Sequence, residues 1–430
     1  MHGFTTTRGQ RAYGSDRGSG DQQHATFRRL RRRYNVVYTL GTFGDWIQGA
    51  YLYALYSEHG YDMASIGYIF VLGYFASASV GTYVSSLGDR YGYRRFVILY
   101  GTAYGIACLL MRSSNLVILL ASRVASGVAY SLLFSSFESW AITEADRLRL
   151  DRRYLVGLFS TATFFNACSA VAAGVPSTLL FPRNKYTPAF DVGAGVLFLC
   201  ALGAYKLWWE ERPTGGGGRN APERGILRAA AMVLAKPELL SLGVTNSLYE
   251  AALHVFVFVW TPALERRGPR MLAGAVPHGL VFSLFMACKM AGSQLYMIIG
   301  DRVPAATILR AVFLGSTLVF AAPLLVESYS FTLLCFCAFE FGLGLYWPAM
   351  AVTRAELVPN YLRATMTSVF RVPLNVLVMG CLAFAGNASE PSFLTMCVAM
   401  MGSCLFFTSR GRAGKGDGSL PPGSPRGIAP

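Results

Sequence analysis

About twelve stretches of roughly 20 mostly apolar residues, parted by short charged clusters, run through this chain and constrain its fold more than any single motif. A helix needs about 20 such residues to cross the hydrocarbon core of a bilayer, where no backbone amide or carbonyl survives unpaired. The stretches lie near 36–56, 65–87, 96–111, 116–140, 154–180 and 190–209, then 238–262, 274–299, 305–326, 330–353, 365–386 and 392–409. Charged residues make up only 14% of the 430, against roughly 25% in soluble domains. The expected fold is therefore an all-α integral membrane protein, and an ordinary cytosolic enzyme is excluded.

The net charge of +15 is compatible with nucleic acid, anionic lipid or cytoplasmic membrane loops. Its distribution decides. A nucleic-acid binder stripes Lys and Arg along a polar face, whereas here they cluster between apolar stretches, so no nucleic-acid partner is expected and the lipid bilayer is. With the N-terminus in the cytoplasm, 29 Lys and Arg fall on the cytoplasmic side and 6 on the opposite side, as the positive-inside rule requires. Both termini are expected to be cytoplasmic, with the plasma membrane as host. The leader carries Arg28, Arg29, Arg31, Arg32 and Arg33 just before the first apolar run. They read as an anchor of the first helix, in preference to a secretory signal or a transit peptide, which Asp16 and Asp21 weaken. Nine cysteines lie inside apolar runs and read as packing residues, with no disulfide framework and no metal site.

The two halves of the chain repeat each other. Gly88-Asp89-Arg90 recurs as Gly300-Asp301-Arg302 at an offset of 212, and Ala141-Ile142-Thr143-Glu144-Ala145 is echoed by Ala351-Val352-Thr353-Arg354-Ala355 at 210. The expected organisation is a basic cytoplasmic tail (1–34), a six-helix bundle (35–209), a cytoplasmic linker (210–237) containing Gly215 to Gly218, a second six-helix bundle (238–409) and a disordered cytoplasmic tail (410–430). Parallel six-helix repeats are the plan of a secondary transporter whose site lies at the midplane between its halves.

Ser85-Ser86-Leu87-Gly88-Asp89-Arg90-Tyr91-Gly92-Tyr93-Arg94-Arg95 resembles the loop signature G-x-L-x-D-R-x-G-R-R of the major facilitator superfamily, departing at Ser85 and Tyr93. Gly92 suits a tight turn, Asp89 a helix cap, and Arg90, Arg94 and Arg95 suit bridges to acidic groups such as Glu138. The resemblance implies a conformational latch. Arg123-Val124-Ala125-Ser126-Gly127 is similar to the superfamily's R-x-x-x-G pattern. A narrower set of blocks resembles the molybdate-anion transporter family: Gly44-Asp45-Trp46-Ile47-Gln48-Gly49 with Tyr53-Ala54-Leu55-Tyr56, Phe137-Glu138-Ser139-Trp140, Phe258-Val259-Trp260-Thr261-Pro262-Ala263-Leu264, and Arg363-Ala364-Thr365 with Phe370-Arg371-Val372-Pro373-Leu374-Asn375. That resemblance implies molybdate uptake.

Besides Lys206 and Arg310, counted with the cytoplasmic ends of their stretches, three cations lie within apolar stretches, where a charge costs about 3 kcal/mol even on the lenient insertion scale and so faces a cavity or a partner. Arg371 is the leading substrate ligand: Thr367 and Asn375, one turn before and after, share its face, and its planar fork suits a tetrahedral oxyanion. Lys289 and Arg123 are the other candidates. The competing reading for each is an ion pair with Glu340, Glu250 or Asp45. Asn246, Glu250 and His254 recur every four residues as one polar stripe, so Asp45, Glu250, His254 and Glu340 are the proton or counter-ion candidates. Asn387-Ala388-Ser389 is a glycosylation sequon.

The function expected is secondary active transport of a small oxyanion, molybdate through the resemblance, by a monomer without cofactor, with protons as candidate coupling ions. The alternatives are a superfamily transporter of another organic or inorganic solute, or a transporter-like receptor that does not transport. An enzyme is not expected, since no Walker loop, metal-spaced His pair or nucleophile triad appears.

Overall fold

The computed structural model describes residues 8–81, 83–84, 87–150, 152–180, 185–209, 230–268, 276–300, 302–358, 363–384 and 388–413. All regular structure among them is helical. The first half contains α1 (Arg8–Gly49), α2 (Leu52–Glu58), α3 (Met63–Ala76), α4 (Gly88–Tyr91), α5 (Tyr93–Leu110), α6 (Leu116–Arg147), α7 (Arg152–Leu180) and α8 (Thr187–Leu207). The second contains α9 (Pro237–Arg267), α10 (His278–Ile299), α11 (Ala305–Leu325), α12 (Tyr329–Leu357), α13 (Arg363–Ala383) and α14 (Glu390–Ala413). Taking α1 with α2 as one crossing and leaving out the single turn α4, each half supplies six spans. Among the described residues eight of them are long and apolar enough to cross a membrane on length and composition alone. The chain is a multi-pass membrane protein of the twelve-helix transporter fold.

Local chemistry sets the boundaries. Asp62 caps α3, accepting a hydrogen bond from the Ser65 amide at 3.1 Å, and Ser65 holds the Asp62 carboxyl below the usual carboxylate range. Asn115 caps α6 through Val117 N at 2.9 Å, as a short polar side chain does for the first free amides of a helix. Gly92, at φ +90°, makes the turn from α4 into α5 that a side chain would resist. At its far end α3 passes into a π-helical turn, Ser77–Gly81, where Ser131 of α6 donates to the Ser77 carbonyl at 2.8 Å. The helix α1 is continuous over 42 residues, about 63 Å at 1.5 Å per residue. It reaches well beyond a bilayer core of ~30 Å, so the basic leader from Arg8 onward is helical.

Within each half, aromatic stacks fill the core. Trp140 and Trp208 stack at 3.8 Å beside Tyr34 in the first half, and Tyr249 and Tyr346 at 3.8 Å in the second. Where α10 crosses α12, a Cβ on Gly292 would lie 2.0 Å from the Phe341 carbonyl and one on Gly344 2.1 Å from that of Lys289. Only glycine permits that approach, the usual way membrane helices gain close packing without a hydrophobic drive. All nine cysteines are free.

An even number of crossings puts α1 and α14 at one end of the bundle, the termini end. At the opposite end three described arginines are engaged. Arg112 pairs with Asp191 at 2.7 Å, Arg266 with Glu327 and Glu390 at 3.0 Å, and Arg267 with Glu390 at 2.8 Å, both side chains buried.

Candidate substrate site between the two halves

Arg371 lies in the third turn of α13, just before Pro373. That proline has no N–H to give the Val369 carbonyl, so the backbone is open beside the arginine. The guanidinium carbon sits 5.4 Å from the centre of the Phe134 ring on α6, so the second half's cation rests on an aromatic face of the first, a favourable arrangement. Both residues are exposed. Among the described residues Arg371 has no carboxylate within ion-pair distance. Glu250, His254 and Tyr130 lie within its electrostatic reach.

The stripe Asn246, Glu250 and His254 is assembled on one face of α9. Asn246 donates a side-chain hydrogen bond to Glu250, which also feels Arg354 of α12. The His254 Nδ1 lies 3.1 Å from the Tyr74 hydroxyl on α3. This polar bond spans the two halves within electrostatic reach of Arg371. Asn375, half-buried, is one turn beyond Arg371. The side chain of Thr367 lies outside the described residues, as do Asn387 and the side chains of Asp89 and Arg90.

Arg123 occupies the first half. Its guanidinium is 5.3 Å from the Phe70 ring and lies over Gly73, where an added Cβ would be 3.1 Å from Nη2. It hydrogen-bonds Tyr56 and acts on Asp45, which accepts from the Tyr104 hydroxyl at 2.6 Å. Its buried Nε has no hydrogen-bond partner among the described residues. Lys289 and Glu340 feel each other within the second half. Glu340 is 3% exposed with Oε2 unpartnered, which fits Lys289 as its counter-ion more than as a ligand.

In the first turn of α5, Arg94 donates to the carbonyls of Ala204 and Tyr205 at the end of α8 and covers the Tyr205 ring at 5.3 Å. Arg95 and Glu138 are exposed, Glu138 within reach of Tyr34 and Tyr38 of α1.

Sequence spacing singled out Arg371, Arg123 and the α9 stripe, and missed Tyr74, Tyr130, Phe134 and Tyr104. Aromatics in an apolar span carry no periodic sign of facing the other half.

Toward the far end the halves close on each other. Ser283 of α10 donates to the Val171 carbonyl of α7 at 2.8 Å, and a Cβ on Gly174 would lie 2.1 Å from the Gly279 carbonyl. Phe258 meets Tyr53 and Phe70, Trp46 meets Phe282, and His278 sits against Tyr51, Tyr186 and Trp260. Arg371, Phe134 and Tyr130 stay exposed on the termini side of this seal, as a transporter vestibule requires.

Residues 4–343 match the family described as sugar transporters with 12 transmembrane segments. The molybdate-anion transporter of Xenopus tropicalis is 31% identical over 361 residues, covering 82% of this chain and 78% of the relative. That of Takifugu rubripes is 28% identical, covering 84% and 81%. Among solved structures, the nucleoside transporter NupG superposes with a TM-score of 0.69 at 13% identity, covering 89% of this chain and 98% of that one. A peptide transporter POT in complex with sulfate gives 0.67 at 14%, covering 89% and 94%. At those identities the two structures speak for the fold alone. By the family match over residues 4–343 and these relatives, the chain belongs to the molybdate-anion transporter family of the major facilitator superfamily.

Proposed function

We propose that this chain takes up molybdate by alternating access, the oxyanion being held by Arg371 and released as the halves rock about the midplane. The observation that carries the reading is an exposed guanidinium deep in α13, resting on Phe134 of the other half with no carboxylate in ion-pair contact among the described residues. Its fork donates two coplanar N–H groups to a tetrahedral dianion, and the helix register places Asn375 and Thr367 on the same face, one turn to either side, as neutral donors. Arg123 on α6, with its unpartnered Nε, is the matching cation of the first half.

An anion bound between the two cations attracts both, so it favours conformations that bring them together and lowers the barrier to rocking. Glu250 and His254 are the proton sites. Each lies within reach of Arg371, so a bound dianion stabilises protons on both, which couples proton and oxyanion movement. Residues 35–209 and 238–409 act as the two rocking bodies, with 210–237 as linker. The protein works as a monomer in the plasma membrane with both termini cytoplasmic, and Asp89, Arg90, Gly92, Arg94, Arg95 and Glu138 latch the termini side.

The test is uptake of labelled molybdate by proteoliposomes with and without an inwardly acidic or alkaline pH gradient. Saturable uptake that responds to the gradient in wild type, and loses that response in Glu250→Gln, supports the reading. Uptake indifferent to the gradient overturns the proton role, and saturable uptake of a labelled hexose that molybdate does not inhibit, with none of labelled molybdate, overturns the substrate.

A further inference from the structure

Away from the vestibule, at the termini end of the first half, α1, α6 and α8 enclose a cavity of about 180 Å³ lined by Arg29, Arg33, Trp140, Glu144, Arg147 and Trp209 among others. A second hollow of about 440 Å³ adjoins it through Arg33, Leu207 and Trp209 and adds Arg94 and Lys206. Among the described lining residues, five cations thus stand beside one carboxylate. Glu144 is neutralised by a forked contact from Arg147, at 2.6 and 2.8 Å, and Arg94 is held by the α8 carbonyls. Arg29 and Arg33, one turn apart on α1, have no side-chain partner among the described residues. The cavity wall holds a further unmet donor. Trp140 is 2% exposed, and its Nε1 has no hydrogen-bond partner among the described residues.

We infer that this cavity binds the phosphate-bearing headgroup of an anionic membrane lipid. Two arginines without a side-chain partner and a tryptophan with an unpartnered indole N–H line one small volume. Guanidinium forks match phosphate oxygens in pairs, and an orphaned buried donor costs stability unless a ligand meets it. A lipid is favoured over a soluble phosphate by the rim. Leu199, Leu202 and Tyr205 on α8 are exposed, as is Trp209 just beyond its end, with Tyr205 at 62% and Trp209 at 64%, and Trp and Tyr mark the level where headgroups meet acyl chains. The cavity therefore opens where acyl chains run, and basic pockets between helices at this level suit anionic headgroups. Two arginines without a side-chain partner among the described residues, Arg29 and Arg33, favour a phosphomonoester over a diester. The occupant ties the helical leader to the ends of α6 and α8.

Native mass spectrometry of the full purified chain, titrated with phosphatidic acid, phosphatidylglycerol and phosphatidylcholine, tests this. Two double variants remove equal charge from the same helix at the same spacing: Arg29→Gln with Arg33→Gln inside the cavity, and Arg28→Gln with Arg32→Gln outside it. The expected order is phosphatidic acid tightest and phosphatidylcholine weakest. The cavity pair should lose tenfold or more in phosphatidic acid affinity, the outside pair less than threefold, and Trp140→Phe a few-fold. Equal losses in the two pairs would reduce the effect to bulk charge and overturn the site. Glycerol 3-phosphate competing as strongly as the lipid, mole for mole, would assign the cavity to a soluble phosphate and overturn the lipid.

Discussion

At the scale of single residues, the account rests on Arg371 being a donor fork as well as a charge. Arg371→Lys keeps the charge and loses the paired coplanar donors, so molybdate affinity should fall about tenfold or more, roughly the 1.5–3 kcal/mol of a charge-assisted hydrogen bond. Asn375→Ala should cost about 1 kcal/mol for one neutral bond. Equilibrium binding of labelled molybdate to purified variants reads both, and equal affinity of wild type and Arg371→Lys would remove the fork from the mechanism. If Arg371 serves Glu250 instead, Arg371→Gln with Glu250→Gln should restore uptake with unchanged affinity. Much of this site was legible in the sequence, because an arginine in an apolar span, or Asn246, Glu250 and His254 at four-residue spacing, needs a polar environment that lipid cannot give. Tyr74 was not legible, since its partner His254 lies 180 positions away and only the packing of the two halves brings them together.

Among the helices, span positions followed from hydropathy to within a few residues, while the ends that depend on tertiary contact did not. Nothing in the polarity of the leader separates a helix from a tail, and α1 from Arg8 was not foreseeable from hydropathy. The far-end cations Arg266 and Arg267 are held by ion pairs with Glu390 and Glu327. Breaking a buried pair by removing one member strands the other charge. Glu390→Gln should therefore destabilise the second half by about 3–5 kcal/mol, read as a lower melting temperature in detergent, and an unchanged midpoint would mean that the pair contributes nothing. The close crossing of α7 and α10 at Gly174 and Gly279 makes a second expectation. Gly174→Val should prevent far-end closure, so that in a cysteine-free background Tyr53→Cys becomes reactive to an impermeant maleimide from the far side. Unaltered reactivity would place the seal elsewhere.

For the whole molecule, the offset repeats near 210 residues announced two similar halves, yet the sequence carried no sign of which end would be shut. That depends on which aromatic faces meet, and here Phe258, His278 and Phe282 meet the first half toward the far end. A vestibule open on the termini side predicts that Phe134→Cys labels from that side and that molybdate protects it. Protection fails if the anion binds elsewhere. The most direct measurement of the central claim is counterflow of labelled molybdate into proteoliposomes loaded with unlabelled molybdate, sulfate or a hexose. The account predicts that molybdate inside drives transient accumulation of label through wild type, that a hexose does not, and that Arg371→Gln abolishes accumulation while remaining folded. Hexose-driven accumulation, or full accumulation through Arg371→Gln, would contradict it.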